Sequence, residues 1–537
     1  LFSPSSTAAW ALALTAPLAL AETPPPSPLQ EQLAEPGLSC VTPVLELSAK
    51  DREWLEPFYL LRGSQAAWNK ENLAVLFAQL EALADDGLEP RAYHLEPLRE
   101  LAAVSDPSPR LEACVDVLAT TAYLQALRDL TYGRLEQAKV EPLWEPESMA
   151  VQQSQAPLLA IAQAGLADPA RAFAQARPDF GPYQQLRQRY AELRREQLPQ
   201  WLAIPGGTLL KPGAVDGRVP LLEQRLQLHG DLSQGAPALV AEETSVYSTA
   251  LVEAVKAFQR NHLLKPDGVV GPGTLAELNR SASERMDQIR INLERLRWLS
   301  HEIEPTSVLI DVAGAEVMFL RDHAVTWQAR TQVGRPARPT PLLRSRITHL
   351  TLNPTWTIPP TILKEDKLPE LRRDAAGYLA ANHMQVIDYE GNPVDPRGVD
   401  WERPGRVMVR QSAGAHSPLG KVAIRFPNPF SVYLHDTPSQ RLFDNLPRLF
   451  SSGCVRIERV TELVDQLLAG ASPAERARIV KQWDSGRTLR ADLPQPVPIL
   501  MAYWTAQVGA DGQVQFRPDI YGHDARLLKA LEASNRI

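Results

Sequence analysis

The sequence lacks a surplus of positive charge. Its 56 lysines and arginines are outnumbered by 63 aspartates and glutamates, giving a formal charge of −7. No nucleic-acid partner is expected, because a phosphate backbone calls for a basic surface. Cysteine is scarce, with three in 537 residues. No Cys-x-x-Cys occurs, and His301-Glu302 is not followed by the second histidine of a His-Glu-x-x-His helix. These patterns predict no metal site and no cofactor. Ser-x-x-Lys occurs nowhere, which removes one serine route to acyl transfer. Glycine, at 29, is outnumbered by proline, at 47, so the connections should be stiff. No apolar run approaches the roughly 20 residues a membrane-spanning helix needs.

What is present suffices for several folded domains. Hydrophobic residues make up 44% and charged residues 22%, so each segment can bury a core. At roughly 150 residues per domain, the length predicts three or four. Trp10 to Ala21 is apolar and ends in the small-x-small triplet Ala19-Leu20-Ala21. It reads as a signal peptide over 1–21, cleaved before Glu22, with a truncated start because no basic residue precedes it. Export exposes the chain to an oxidising compartment. There Cys40 and Cys114 can pair and leave Cys454 as the odd thiol, although the spacing equally allows two unrelated buried thiols.

Residues 22–48 are polar and Pro-rich and read as a tether. A helical scaffold domain is expected over 49–205, with stripes at Leu73, Leu76, Leu80, Leu83 and at Leu118, Tyr123, Leu127, Leu130. A compact three-helix domain is expected over 217–281. Leu222, Leu226 and Leu228 mark its first helix and Leu251, Val255 and Phe258 its second. A capping box of Thr274 with Glu277 opens the third. Ile289, Leu293, Leu296 and Leu299 mark an amphipathic connecting helix over 284–303. From Thr306 the period becomes two. A β-rich domain follows over 306–500 and includes a strand from Val407 to Arg410. Charged, helical residues 364–400 interrupt it and read as a lid, because long connections on a rigid scaffold tend to carry function. Residues 501–537 read as a C-terminal tail. The fold class is multidomain α+β.

The chemistry concentrates in Ser431-Val-Tyr-Leu-His-Asp-Thr-Pro438 and Ser451-Ser-Gly-Cys-Val-Arg-Ile457. A cysteine attacks as thiolate and needs a base. His435 ends an apolar strand and is the best candidate. Tyr433 shares its sheet face, and Cys454 and Arg456 share one by the same rule. Gly453 lets the backbone come close to a substrate carbonyl, and its N–H and that of Cys454 are candidate oxyanion donors. Spacing alone leaves a buried structural cysteine and a strand-end histidine equally open.

His-Asp-Thr followed by Ser-Ser-Gly-Cys-Val-Arg strongly resembles the L,D-transpeptidase motif, in which His-Gly-Thr precedes Ser-x-Gly-Cys-[Ile/Val]-Arg. The resemblance covers roughly Ser307 to Leu500. Phe258-Gln259, followed by Asp267-Gly-x-x-Gly-Pro-x-Thr274, resembles a peptidoglycan-binding module, with a non-binding spacer of the same fold as the alternative. Together with the helical N-terminus and the lid, the chain resembles the large periplasmic L,D-transpeptidases. The departures are Asp436 in place of glycine and a long connection from Pro438 to Phe450.

The resemblance implies Cys454 as nucleophile and His435 as base, oriented by a backbone carbonyl rather than by Asp436. Ser452, Gly453 and Arg456 would shape the loop, and Tyr433 would line the oxyanion site. It implies a periplasmic enzyme of wall biogenesis and cell shape, inhibited by carbapenems, with other wall-synthesis enzymes as candidate partners. The donor is a tetrapeptide stem, the acceptor the diaminopimelate amine of another stem, and the product a 3→3 crosslink. Water, a lipoprotein lysine or a free D-amino acid are alternative acceptors. A wall-binding scaffold with an inactive catalytic domain is the alternative of another class.

Overall fold

The computed structural model describes residues 26–149, 154–196, 202–228 and 245–534, so the signal peptide read over 1–21 lies outside the described residues. The chain divides into two compact units, residues up to 68 with 97–121, and residues 69–96 with 122 onward.

In the first unit, helix α1 (Ala49–Leu61) opens with a capping box of Ser48 and Asp51 and buries Trp54, Leu55, Phe58 and Tyr59. The Tyr59 hydroxyl donates to buried Asp116 at 2.6 Å, and the other Asp116 oxygen takes the Ala67 and Trp68 N–H groups. Residues 26–48 are folded rather than a bare tether. Pro28–Ala34 is helical, Gly37–Leu38 pairs with Leu45–Glu46, and Cys40 is disulfide-bonded to Cys114. Proline content misleads here, because Pro28 stands at the start of its helix, where a missing N–H costs no hydrogen bond.

The second unit contains most of the remaining elements. Helix α2 (Gly181–Arg195) buries Tyr183, Leu186 and Tyr190. The small helical domain is formed by α3 (Val219–Leu228), α4 (Thr249–Asn261) and α5 (Pro272–Asn279) around Leu222, Leu226, Leu251, Val255 and Phe258. Its core also takes Ile204 and Leu210, upstream of residue 217, while Leu228 is exposed. The capping box expected at Thr274 does not form. Gly271 is the N-cap of α5, and Thr274 Oγ1 instead accepts from Gln259 Nε2 at 3.1 Å. Gln259 also accepts from the Gly268 N–H and donates to the Val269 carbonyl. The Phe-Gln and Asp-Gly-x-x-Gly-Pro-x-Thr signals are thus two halves of one lock on a turn.

Helix α6 (Ala282–Glu302) opens with a capping box of Ser281 and Glu284. Its stripe Ile289, Leu293, Leu296, Leu299 packs with Tyr183, Leu186, Leu309, Leu500 and Trp504. The opposite face is buried too, unlike a surface amphipathic helix. Arg295 lies between Glu141 (2.8 Å) and Asp524 (2.6 Å), and Arg297 pairs with Glu294 at 2.6 Å. Charges on a buried helix are tolerable only when paired in this way.

The sheet comprises β1 (Ser307–Asp311), β2 (Glu316–Arg321), β3 (Ala324–Gly334) and β4 (Leu343–Leu352). A second, small sheet is built from β5 (Trp356–Thr357), β6 (Met384–Ile387), β7 (Pro393–Val394) and β8 (Met408–Gln411), with α7 (Leu368–Ala381) packed beside it. The main sheet resumes with β9 (Val422–Arg425), β10 (Leu434–His435), β11 (Leu449–Ser451), β12 (Val455–Ile457) and β13 (Leu489–Ala502). Its order is β11-β3-β12-β10-β9-β4-β13-β1-β2, and β2 also pairs with β3, so the sheet closes on itself. Val308, Ile310, Val317, Phe319, Ile347 and Ile424 fill the inner face.

Two expectations need correction. The insertion, expected to be helical, is a mixed α/β unit. It extends beyond 364–400, and β8, read from its alternation as a strand of the main sheet, pairs with β5 and β6 instead. The expected C-terminal tail is folded over residues 501–534. β13 ends at Ala502, buried Arg517 pairs with Asp311, and His523–Ser534 forms helix α8, whose Asp524 meets Arg295. Among the described residues no helix is long and apolar enough to cross a membrane.

Replacing Arg295 with methionine should leave Glu141 and Asp524 buried without their cation. A loss of about 3–5 kcal/mol is expected, read as a lowered urea midpoint. An unchanged midpoint would show that these carboxylates are protonated or rehydrated at no cost.

Candidate active site

Four strands of the main sheet present one row of side chains, and the register fixes which. β10 runs parallel to β12 with Leu434 opposite Val455 and His435 opposite Arg456. The Val455 N–H donates to the Tyr433 carbonyl at 3.1 Å, which places Cys454 beside Tyr433. On the other side of β10, Ala423 of β9 faces His435, so Arg425 falls beside Tyr433. Arg456 of β12 faces Gln332 of β3. Alternation then does the sorting. Leu434, Val455, Ile457, Val422 and Ile424 enter the core, while Tyr433, His435, Cys454, Arg456 and Arg425 share the opposite face.

His435 is buried, with its ring 5.7 Å from that of Tyr433. Its Nδ1 meets the main-chain carbonyl of Asp436 at 2.5 Å, so this nitrogen carries the proton and Nε2 is left as acceptor. The Asp436 carboxylate turns away and accepts the Lys421 N–H at 2.8 Å. Gly420, at φ +58°, is needed there, since a Cβ would strike that carboxylate. Burial holds the imidazole at a pKa of about 3, and the Arg456 and Arg425 cations push in the same direction. Burial likewise raises the Cys454 thiol, partly countered by Tyr433, Arg425 and Arg456. At neutral pH the pair is therefore a thiol and a neutral imidazole. Tyr433, raised mainly by burial, keeps its hydroxyl proton beside the sulfur.

The loop before Cys454 is held on all sides. Gly453 has φ +114°, a conformation open to glycine and strained for other residues. Its carbonyl accepts from Thr340 Oγ1 at 3.0 Å. Its N–H donates to Ser451 Oγ at 3.2 Å, so in this structure it is engaged rather than aimed at an oxyanion. Ser452 Oγ accepts from Arg338 at 3.0 Å, and Arg338 also pairs with Glu365 and Asp366 of the insertion. Tyr521, from the C-terminal segment, accepts from the Thr340 N–H and donates to the Gly334 carbonyl. Arg456 donates to Gln332 at 3.0 Å.

A cavity of about 920 Å³ opens between this face and the insertion, with Tyr433 and Arg425 on one wall and Leu363, Leu368 and Met408 on the other. Ser451, Thr340, Arg338, Gln332 and Arg425 escape a reading of motifs alone. Only Ser451 lies inside the signature segment, and the others reach the site through strand register or the fold of distant loops.

The family model for the L,D-transpeptidase catalytic domain matches residues 305–480. This region is similar to L,D-transpeptidase catalytic domains. A peptidoglycan-binding domain model matches residues 215–278 and a scaffold domain model residues 53–189. A Haemophilus influenzae protein carrying an L,D-transpeptidase name is 32% identical over 245 residues, covering 45% of this chain and 48% of that protein. The chain thus spans about half the length of this curated relative. Two solved L,D-transpeptidases also align. The Mycobacterium smegmatis protein is 14% identical over 37% of this chain and 58% of its own, with a TM-score of 0.19. The Xylanimonas cellulosilytica protein is 16% identical over 56% of this chain and 99% of its own, with a TM-score of 0.17. These scores are too low to establish a shared fold for the whole chain.

The neutral pair of Cys454 and His435 has a measurable signature. Alkylation of Cys454 by iodoacetamide should be slow at pH 7 and still rising above pH 9, beyond an ordinary cysteine. A plateau between pH 5 and 8 would indicate a thiolate–imidazolium pair instead. Stability carries the matching sign. His435 takes up its proton near pH 3 when folded and near 6.5 when unfolded, so the unfolded chain binds more protons between those values. Stability should fall as pH drops through this window, by up to about 1.4 kcal/mol per pH unit.

Proposed function

We propose that the chain is a peptidoglycan L,D-transpeptidase that forms 3→3 crosslinks between stem peptides. The observation that carries this reading is the common face of Cys454, His435 and Tyr433, inside the segment that matches the catalytic domain. Cys454 Sγ attacks the carbonyl of the third residue of a tetrapeptide stem while His435 Nε2 accepts the thiol proton. A tetrahedral oxyanion forms, with Tyr433 and the Cys454 N–H as candidate donors. The C–N bond breaks, His435 returns the proton to the departing amine, and a thioester remains. The side-chain amine of diaminopimelate on a second stem then attacks the thioester and gives up a proton through His435 to the regenerated thiol. Dividing the transfer this way replaces one difficult step by two easier ones. The peptide-bond energy is kept in the thioester, so no nucleotide is required.

The electrostatics favour this order of events. Arg425 and Arg456 disfavour an imidazolium before attack, and the same cations stabilise negative charge as it develops on sulfur and oxygen. The helical module of residues 215–278 supports binding to the wall polymer, and it lies in an exported, periplasmic chain on this reading.

Purified protein incubated with tetrapeptide muropeptides should yield crosslinked dimers by mass spectrometry. Cys454→Ser should abolish them, and His435→Gln should slow them about 10²- to 10⁴-fold. Dimer formation by Cys454→Ser at the wild-type rate would refute the assignment, and tripeptide without dimer would mark a carboxypeptidase. Deleting 215–278 should reduce cosedimentation with sacculi more than turnover of soluble muropeptides. Equal cosedimentation would deprive the module of its binding role.

A further inference from the structure

The cavity beside the site is lined by three cations, Lys364, Arg372 and Arg425, and one carboxylate, Glu402. Glu402 is already paired with Arg372 at 3.1 Å. Among the described residues neither Lys364 nor Arg425 has an acidic partner. Arg425 is the one that touches the reacting face. Its guanidinium lies 3.8 Å from the centre of the Tyr433 ring, and its Nε donates only a long bond, 3.4 Å, to Thr351. Asp492, across β4 from it, is paired with Arg490. Arg456, the other cation on this face, is committed to Gln332 and does not line the cavity. Arg425 is therefore a half-buried, stacked guanidinium without a counter-ion, facing open space one side chain from Cys454.

Given the transpeptidase reading, on which this rests, we propose that Arg425 sets specificity by binding the free terminal carboxylate of the donor peptide. An enzyme that releases a single terminal residue must sense the chain end. That carboxylate lies two bonds from the scissile nitrogen, so its receptor must stand within a few ångströms of the nucleophile. A guanidinium held over an aromatic ring presents its remaining N–H groups as a fork, the geometry that grips a carboxylate with two parallel hydrogen bonds. Lys364, on the insertion, adds charge on the opposite wall without fixing direction.

The test compares the tetrapeptide stem with its C-terminal carboxamide. Titration calorimetry on Cys454→Ala, which cannot turn over, should show the carboxylate form binding about 10- to 100-fold tighter. Adding Arg425→Gln should reduce this preference to within about threefold, and Arg425→Lys should retain part of it. Equal binding of the two peptides to Cys454→Ala would overturn the proposal without any change to Arg425. A preference that survives in Arg425→Gln would overturn it as well. Thermal unfolding of each variant shows whether it is folded. Failure of the functional reading looks different, since wild-type protein would then produce neither dimer nor tripeptide from the carboxylate donor, whatever the binding preference.

Discussion

The parallel pairing of β10 with β12 is the constraint on which the site depends. β10 has two residues and β12 three, yet each must satisfy two environments. Leu434 and Val455 must enter the core so that Tyr433, His435, Cys454 and Arg456 emerge on the other face. A slip of one residue would bury the imidazole and the thiol among Ile424 and Ile457 and bring leucine and valine to the surface. Parallel neighbours cannot be joined by a tight hairpin. The long stretch from Asp436 to Phe450 is therefore a crossover. It is anchored by buried Phe443 and by β11, which pairs with β3 on the far side of β12. Its length follows from topology and needs no separate functional explanation.

So short a pairing holds the loop before Cys454 only with support from outside. Thr340 grips the Gly453 carbonyl, Tyr521 grips Thr340, and Arg338 joins Ser452 to the insertion. Tyr521 is fixed in turn through Tyr503, whose hydroxyl donates to Asp519 at 2.7 Å. The loop is thus held from both ends of the unit around the positive φ of Gly453. The same packing removes water from His435. It keeps the imidazole neutral and makes each nearby guanidinium count for more than it would in solvent.

How much of this was legible in the sequence depended on how local the rule was. Period-two alternation placed Tyr433 with His435 and Cys454 with Arg456, because it needs no knowledge of partners. The stripe on α6 was legible for the same reason. The burial of its charged face was not legible, because Arg295 finds its carboxylates on other elements, at Asp524 and Glu141, which no local pattern reveals. β8 alternates like a strand of the main sheet, but sheet membership is a long-range fact, and Val409 belongs to the core of the insertion. Thr274 and Glu277 have the spacing of a capping box. A tertiary bond from Gln259 to Thr274 and one from Arg285 to Glu277 outcompete it. Arg425, Thr340 and Arg338 were hidden for the same reason, since each reaches the site through register or through a loop fixed elsewhere.

The position of the insertion follows from the sheet as well. β4 and β9 are antiparallel neighbours, so a short turn would suffice to join them. Instead the hairpin opens at Asn353, whose N–H donates to the Lys421 carbonyl at 2.8 Å, and a folded unit with its own core occupies the space between. Closing the base this way leaves the register of both strands untouched, which is why a long insertion there costs the sheet little. The Asp436 carboxylate on the Lys421 N–H fixes the same base from β10. The residue that departs from the commoner His-Gly-Thr pattern thereby ties the insertion's root to the strand end that carries His435. β9 also carries Arg425, so the unit rooted beside it forms the far wall of the cavity that Arg425 and Tyr433 line. The wall, the cation and the His435 imidazole are set by three adjacent strands, and a change in any one of their registers would move all three.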